Sequence, residues 1–119
     1  MAFASCVLAG LVAVLHVYFL VLEMFLWATP FGAKTFKRPL AEMEQSKSLA
    51  ANQGLYNGFL AAGLVWSLVA ADGMAIRVFF LACVVIAGLY GAATAARTIL
   101  FVQALPALAA LVVTLLAWS

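Results

Sequence analysis

Four long apolar runs, separated by short polar breaks, dominate the pattern of hydrophobic and polar positions along the chain. They cover about residues 2–27, 39–71, 75–97 and 99–118, and a helix needs roughly 20 apolar residues to cross a bilayer. Turn residues lie between the runs, at Thr29-Pro30-Phe31-Gly32 and at Asp72-Gly73. The pattern predicts an all-α fold, a four-transmembrane-helix bundle, in a single integral membrane domain over residues 1–119.

The second predicted helix is longer than a bilayer is thick. Pro39 suits the first turn of a helix, and Glu42 lies close behind it, near the positive end of the helix dipole. No helix-breaking residue follows until Gly54. We therefore expect this helix to run from about Pro39 to Ala71, with its first turns extended into the cytoplasm. Pro106 is expected to kink the fourth helix slightly or to lie near its first turns.

The composition supports the membrane class. Of 119 residues, 69% are hydrophobic and 8% are charged, whereas about a quarter of a soluble domain is charged. Cys6 and Cys83 both fall within apolar runs and are interpreted as small buried side chains. The first apolar run is too long for the core of a signal peptide, so we expect a retained first helix.

The basic residues predict an orientation. The positive-inside rule places basic loops in the cytoplasm, so both termini are expected outside a bacterial inner (plasma) membrane. The net charge of +2 comes mostly from one loop and is thus interpreted as a topology signal, and no nucleic-acid partner is expected. The charged loop is interpreted as a solvated segment, with an anionic-lipid site as a weakly signalled alternative. The side assigned to the cytoplasm carries Lys34, Lys37, Arg38, Lys47 and Arg97, and the opposite side carries Arg77.

Polar side chains from all four predicted helices fall in the same half of the bundle, and the other half is expected to be almost purely apolar. His16 and Glu23 are seven residues apart on one helix face, roughly 10 Å along the axis. A buried charge is costly, so Glu23 is expected to be neutral, paired with Arg97, or hydrogen-bonded by amides. The predicted ligand-binding residues are Glu23, Asn52, Gln53, Tyr56, Asn57, Tyr90, Thr94, Arg97 and Gln103.

Several segments carry a family resemblance. They are Leu22–Trp27 after His16, the segment Asn52–Gly63, Gly88-Leu89-Tyr90-Gly91 with Thr94, and Gln103 with Pro106-Ala107. Over nearly its whole length the chain resembles the domain of unknown function 1304 family of small integral membrane proteins. The resemblance implies a membrane protein of this size and supplies no function. It singles out His16 together with most of the polar residues named above.

Three functions stay open. The first, which the sequence favours, is binding or transport of a small amphipathic molecule in a polar pocket in the cytoplasmic half of the bundle. The second is a membrane enzyme in which His16 and Glu23 act as catalytic acid and base on a lipid-like substrate. The third is a structural or partner subunit. Gly54 and Gly58 form a close-packing face, and a homo-oligomer is expected. With one His and few carboxylates no metal site is expected, and the cofactor is unknown.

Overall fold

The chain is helical throughout, and the computed structural model describes all of residues 1–119. The absence of strands confirms the all-α prediction. The helices are α1 (Ala2–Met24), α2 (Pro30–Phe36), α3 (Leu40–Val69), α4 (Gly73–Thr94), a π-helix (Leu100–Ala104) and α5 (Leu105–Trp118).

Three helical segments are long and apolar enough to cross a membrane: α1, α4, and the π-helix together with α5. They indicate a membrane protein. A fourth span is not clearly shown. Helix α3 has 30 residues and is therefore about 45 Å long. Its apolar half, however, begins only after Asn52 and Gln53, and Asn57 interrupts it again.

The first helix ends earlier than predicted, and a short helix follows it. Helix α1 stops at Met24 rather than near Trp27. The side chain of Thr29 then accepts a hydrogen bond of 3.2 Å from the backbone N–H of Gly32, and Pro30 occupies the first turn of α2. A Thr cap followed by Pro is a helix-start signal. The residues interpreted as a helix break therefore also begin a new helix.

The π-helix has a local cause in Pro106. Proline lacks the N–H that a regular helix would bond to the carbonyl four residues earlier, and its ring crowds that carbonyl. The preceding turn is widened, and the N–H of Leu105 bonds to the carbonyl oxygen of Leu100, five residues back. Pro106 consequently lies in the first turn of α5.

The chain divides into two compact units. The first unit is Val14–Ala61, and the second is Met1–Ala13 with Ala62–Ser119. In the second unit α4 packs against the π-helix and α5. Small residues line this contact, and a Cβ added to Gly88 would lie 2.8 Å from the backbone nitrogen of Ala104. That the two units act as the single predicted domain stays a prediction.

Candidate functional site

Glu23 and Asn57 meet inside the first unit. The side-chain amide of Asn57, on α3, donates a hydrogen bond of 2.5 Å to one carboxylate oxygen of Glu23, on α1. Asn57 is buried, and Glu23 is partly buried. This contact realises one of the arrangements expected for Glu23, a hydrogen bond from an amide. The second carboxylate oxygen receives no hydrogen bond from the chain.

Two glycines let α3 approach α1 at this point. A Cβ on Gly54 would lie 2.7 Å from the Met24 side chain and 3.0 Å from Cβ of Glu23. A Cβ on Gly58 would lie 2.7 Å from the side chain of Leu20. The close-packing face therefore makes its contacts within the chain. It gives no support to self-association through these glycines, and the homo-oligomer stays a prediction.

A pocket of about 330 Å³ lies beside Glu23 in the first unit. This volume falls within the usual range for small-molecule sites, about 300–1,000 Å³. Lys47 and Glu44, three positions apart on α3, form an exposed ion pair of 3.2 Å in its lining. Glu23 is therefore the one acidic or basic residue of the lining that has no ion-pair partner. The lining residues are Glu23, Met24, Phe25, Trp27, Ala28, Thr29, Glu44, Lys47, Ser48 and Ala51.

Trp27 is held in place as one wall of this pocket. Its indole N–H donates a hydrogen bond of 2.9 Å to the hydroxyl of Ser46, which donates in turn to the carbonyl oxygen of Glu42. Its ring lies 4.7 Å from the ring of Phe36, centre to centre. These contacts join the turn after α1 to both α2 and α3. They fix an aromatic surface close to the Glu23 carboxylate.

A second groove, in the second unit, has a different character. Its volume is about 350 Å³, and it is lined by Trp66, Ala75, Ile76, Phe79 and Phe80. It offers no charged or amide side chain. An apolar groove of this kind on membrane helices suits lipid chains, so the pocket beside Glu23 is the better candidate for a specific site.

The other predicted site residues of the first unit do not line the pocket. His16 is fully buried, with the ring of Phe19 edge-on at 5.2 Å. Asn52, Gln53 and Tyr56 are exposed. Within this unit the structure therefore brings together Glu23 and Asn57 from the predicted set.

Four predicted residues belong to the second unit. Tyr90, Thr94 and Arg97 are exposed, and the hydroxyl of Thr94 donates to the carbonyl oxygen of Tyr90 on its own helix. Gln103 is partly buried in the π-helix. Their assignment to a ligand site stays a prediction.

Several pocket residues fall in the segment interpreted as a solvated loop. Glu44, Lys47 and Ser48 lie in that charged segment and Ala51 follows it; all four line the pocket and belong to α3. Their spacing of three, four and seven residues places them on one helix face. The sequence therefore contained the spacing that places these residues on one face. The prediction missed it because the high polarity of this stretch suggested that all of its faces were solvated.

A second polar cluster, around Arg77, overturns the expectation of an almost purely apolar half. Arg77 is buried in the second unit, with 5% of its surface exposed. It donates to the hydroxyl of Ser5 at 2.8 Å, and to the carbonyl oxygen and hydroxyl of Ser67 at 3.0 and 3.3 Å. The Ser5 hydroxyl is bonded to that of Thr114 at 2.6 Å. We call Ser5, Ser67, Arg77 and Thr114 the Arg77 cluster.

The Arg77 guanidinium is compensated without a carboxylate. The carbonyl of Ser67 lies in the last turn of α3, where unpaired carbonyls carry partial negative charge. Thr114 donates its own hydrogen to the carbonyl of Ala110, so the Ser5 hydroxyl is free to accept from Arg77. The two ion pairs of the structure are Arg38–Glu42 and Lys47–Glu44. The cluster therefore stabilises a buried cation with neutral groups and a helix end.

These features define a small all-α protein with three helices able to span a membrane. The chain belongs to the family described as "Protein of unknown function (DUF1304)", whose model matches residues 10–115. The resemblance seen in the sequence is thereby confirmed. The chain is also 29% identical over 115 residues to the uncharacterized protein YpaA of Lactococcus lactis subsp. lactis (strain IL1403), covering 94% of this chain and 97% of that protein. No solved structure matches.

Proposed function

We propose that this protein binds or transports a small amphipathic molecule that carries a positive charge, using the pocket beside Glu23. The observation that carries the proposal is the Glu23 carboxylate itself. It lines the pocket, one of its oxygens is held by Asn57, and the other is left for a ligand.

The pocket's charges and surfaces support this ligand class. Lys47 already pairs with Glu44, so Glu23 is the lining carboxylate without a cationic partner. A ligand cation would offset the cost of a carboxylate at the end of a membrane helix. The rings of Trp27 and Phe25 also line the pocket. Aromatic faces attract organic cations and accommodate apolar groups.

The replacement Glu23→Gln tests the proposal. In a background carrying Trp66→Phe and Trp118→Phe, Trp27 is the remaining tryptophan and reports on the pocket by its fluorescence. Benzyltrimethylammonium is the probe, titrated into the purified protein in detergent. We expect Glu23→Gln to raise its Kd at least about tenfold, because the Coulomb attraction between the carboxylate and the ammonium is lost, about 4 kcal/mol for unit charges 4 Å apart at an effective dielectric constant of 20.

Glu44→Gln is the matched control. It removes an acidic side chain from the same pocket, but that side chain is exposed and paired with Lys47. Exposed pairs contribute little, so the Kd should change by less than about threefold. Equal affinity in wild type and Glu23→Gln would contradict the proposal. Benzenesulfonate, an anion of similar size, should not bind, and tight binding of it would contradict the positive ligand charge.

The two other functions receive less support from the geometry. His16 lies outside the pocket lining, so an acid–base pair with Glu23 across a bound substrate stays a prediction. The structural role also stays a prediction. Loss of probe binding in Glu23→Gln without a loss of thermal stability would separate the binding role from a purely structural one.

We further propose that α3 crosses the membrane as a fourth span, with both termini outside a bacterial plasma membrane. Its length and its apolar second half support the crossing, and the basic residues before it support the orientation. The bacterial source of the similar protein supports the choice of membrane. This arrangement is the four-helix topology predicted from the sequence.

Cysteine labelling tests this topology. With Cys6 and Cys83 replaced by Ala, single cysteines at Ala2, Thr35 and Ser119 are treated with an impermeant maleimide on intact cells. We expect labelling at Ala2 and Ser119 on intact cells, and at Thr35 only after permeabilisation. Three spans would place the termini on opposite sides, so labelling of one terminus alone would contradict the fourth span.

A further inference from the structure

We propose that the segment Pro30–Arg38, here called the α2 segment, binds the headgroups of anionic phospholipids at the membrane surface. This site is separate from the pocket beside Glu23 and does not depend on what that pocket binds. Three features of the α2 segment point to headgroup binding: its location after α1, its exposed side chains and the backbone of Lys37.

The α2 segment is held at the end of a membrane span. Helix α1 ends at Met24, and five residues separate it from Pro30. A Cβ on Gly32 would overlap the carbonyl oxygens of Leu26 and Trp27, so α2 packs directly on the turn that leaves α1. The ring contact between Trp27 and Phe36 also packs α2 against this turn. Because α1 is apolar enough to cross the bilayer, a segment packed on the turn after α1 is expected at the membrane surface.

The exposed side chains of the α2 segment are those of an interfacial element. Phe31 and Phe36 are 53% and 36% exposed. Lys34 and Lys37 are exposed and belong to neither ion pair of the structure, and Arg38 lies 3.9 Å from Glu42 in an exposed pair. Aromatic rings inserted beside headgroups, with cations facing the phosphates, are the pattern of segments that bind anionic membranes.

Lys37 occupies a backbone position that suits glycine better. Its φ of 55° is the one positive φ among the non-glycine residues of the chain. It ends α2 in the left-handed conformation, with its N–H directed to the carbonyls of Ala33 and Lys34. Helices usually end there with glycine, because a Cβ is disfavoured. A lysine at this position keeps a cation on the surface next to Lys34, which is what headgroup binding requires.

The double variant Lys34→Gln/Lys37→Gly tests the proposal. Native mass spectrometry of the detergent-solubilised protein would compare binding of phosphatidylglycerol with binding of phosphatidylcholine at equal concentrations. Each basic residue near an anionic surface contributes about a fivefold preference, so the variant should lose about twenty-five-fold of the preference for phosphatidylglycerol. Glycine fits the left-handed backbone, so the thermal stability of the variant should be preserved.

Lys47→Gln is the matched control for charge. It also removes one lysine next to the membrane, but that lysine is paired with Glu44 on α3. Its preference for phosphatidylglycerol should stay within about twofold of wild type. The single variant Lys37→Gly, which also removes one positive charge, is measured beside this control. An equal loss of the preference for phosphatidylglycerol in the two variants would attribute the effect to net charge and overturn the proposal. It would also be overturned by a wild-type protein without preference between the lipids, or by displacement of phosphatidylglycerol by millimolar inorganic phosphate.

Discussion

Replacement of Arg77 by methionine is expected to lower the free energy of unfolding by about 3 kcal/mol, since hydrogen bonds from a charged group contribute about 1.5–3 kcal/mol each. Methionine keeps a long side chain but removes every donor. The carbonyl of Ser67 and the hydroxyl of Ser5 would then lose the guanidinium that bonds them inside the second unit. Ser5 and Ser67 are buried within the protein, so water has little access to replace the guanidinium.

Unfolding in detergent, followed by circular dichroism with increasing denaturant, measures the effect. Arg97→Met is the matched control, because Arg97 is exposed and surface changes usually stay within about 0.5 kcal/mol. Arg77→Lys should fall between the two, since an ammonium cannot reproduce the planar fork of donors. If Arg77→Met were as stable as Arg97→Met, the hydrogen bonds of the Arg77 cluster would not stabilise the second unit.

Gly88→Ala is expected to destabilise the second unit by about 2 kcal/mol, the range of overpacking in a filled core. Its Cβ would lie 2.8 Å from the backbone nitrogen and Cβ of Ala104, and 2.9 Å from its Cα. Those atoms belong to the π-helix, so no side-chain rotation can relieve the overlap. The helix α4 and the π-helix would have to move apart.

Gly10→Ala is the control for this replacement, because a Cβ at Gly10 meets nothing within 4 Å. Removing a glycine from a helix interior stabilises it by roughly 0.5–1 kcal/mol when space is available. The two variants should therefore shift the midpoint of thermal unfolding in opposite directions. A shift in the same direction for both would contradict the close packing of α4 on the π-helix.

The candidate site was predictable in part. Glu23 and Asn57 stood out because each is a polar residue in an apolar run and needs a partner there. Asn52, Gln53 and Tyr56 stood out for the same reason, yet they are exposed. The depth of a residue along the membrane follows from its position in a helix, but the direction of its side chain follows from the rotation of that helix.

The close approach of α1 at two glycines sets this rotation for α3. Gly54 and Gly58 pack against Met24 and Leu20, and Asn57, between them on the same face, is thereby turned inward. Gln53 and Tyr56 lie off that face. The glycine spacing indicated the packing face of α3, but the sequence did not show which helix packs against that face.

The amino-acid sequence by itself determined the class of this protein, its helical content and the approximate bounds of its apolar segments. These properties follow from local hydropathy and from turn residues, which act over one helix length. The tertiary structure decided the polar contacts, the packing of α2 on its preceding turn and the composition of the pocket. Ser5 and Thr114 bond across 109 positions of sequence. Such a pairing depends on how distant helices pack, and no local pattern specifies it.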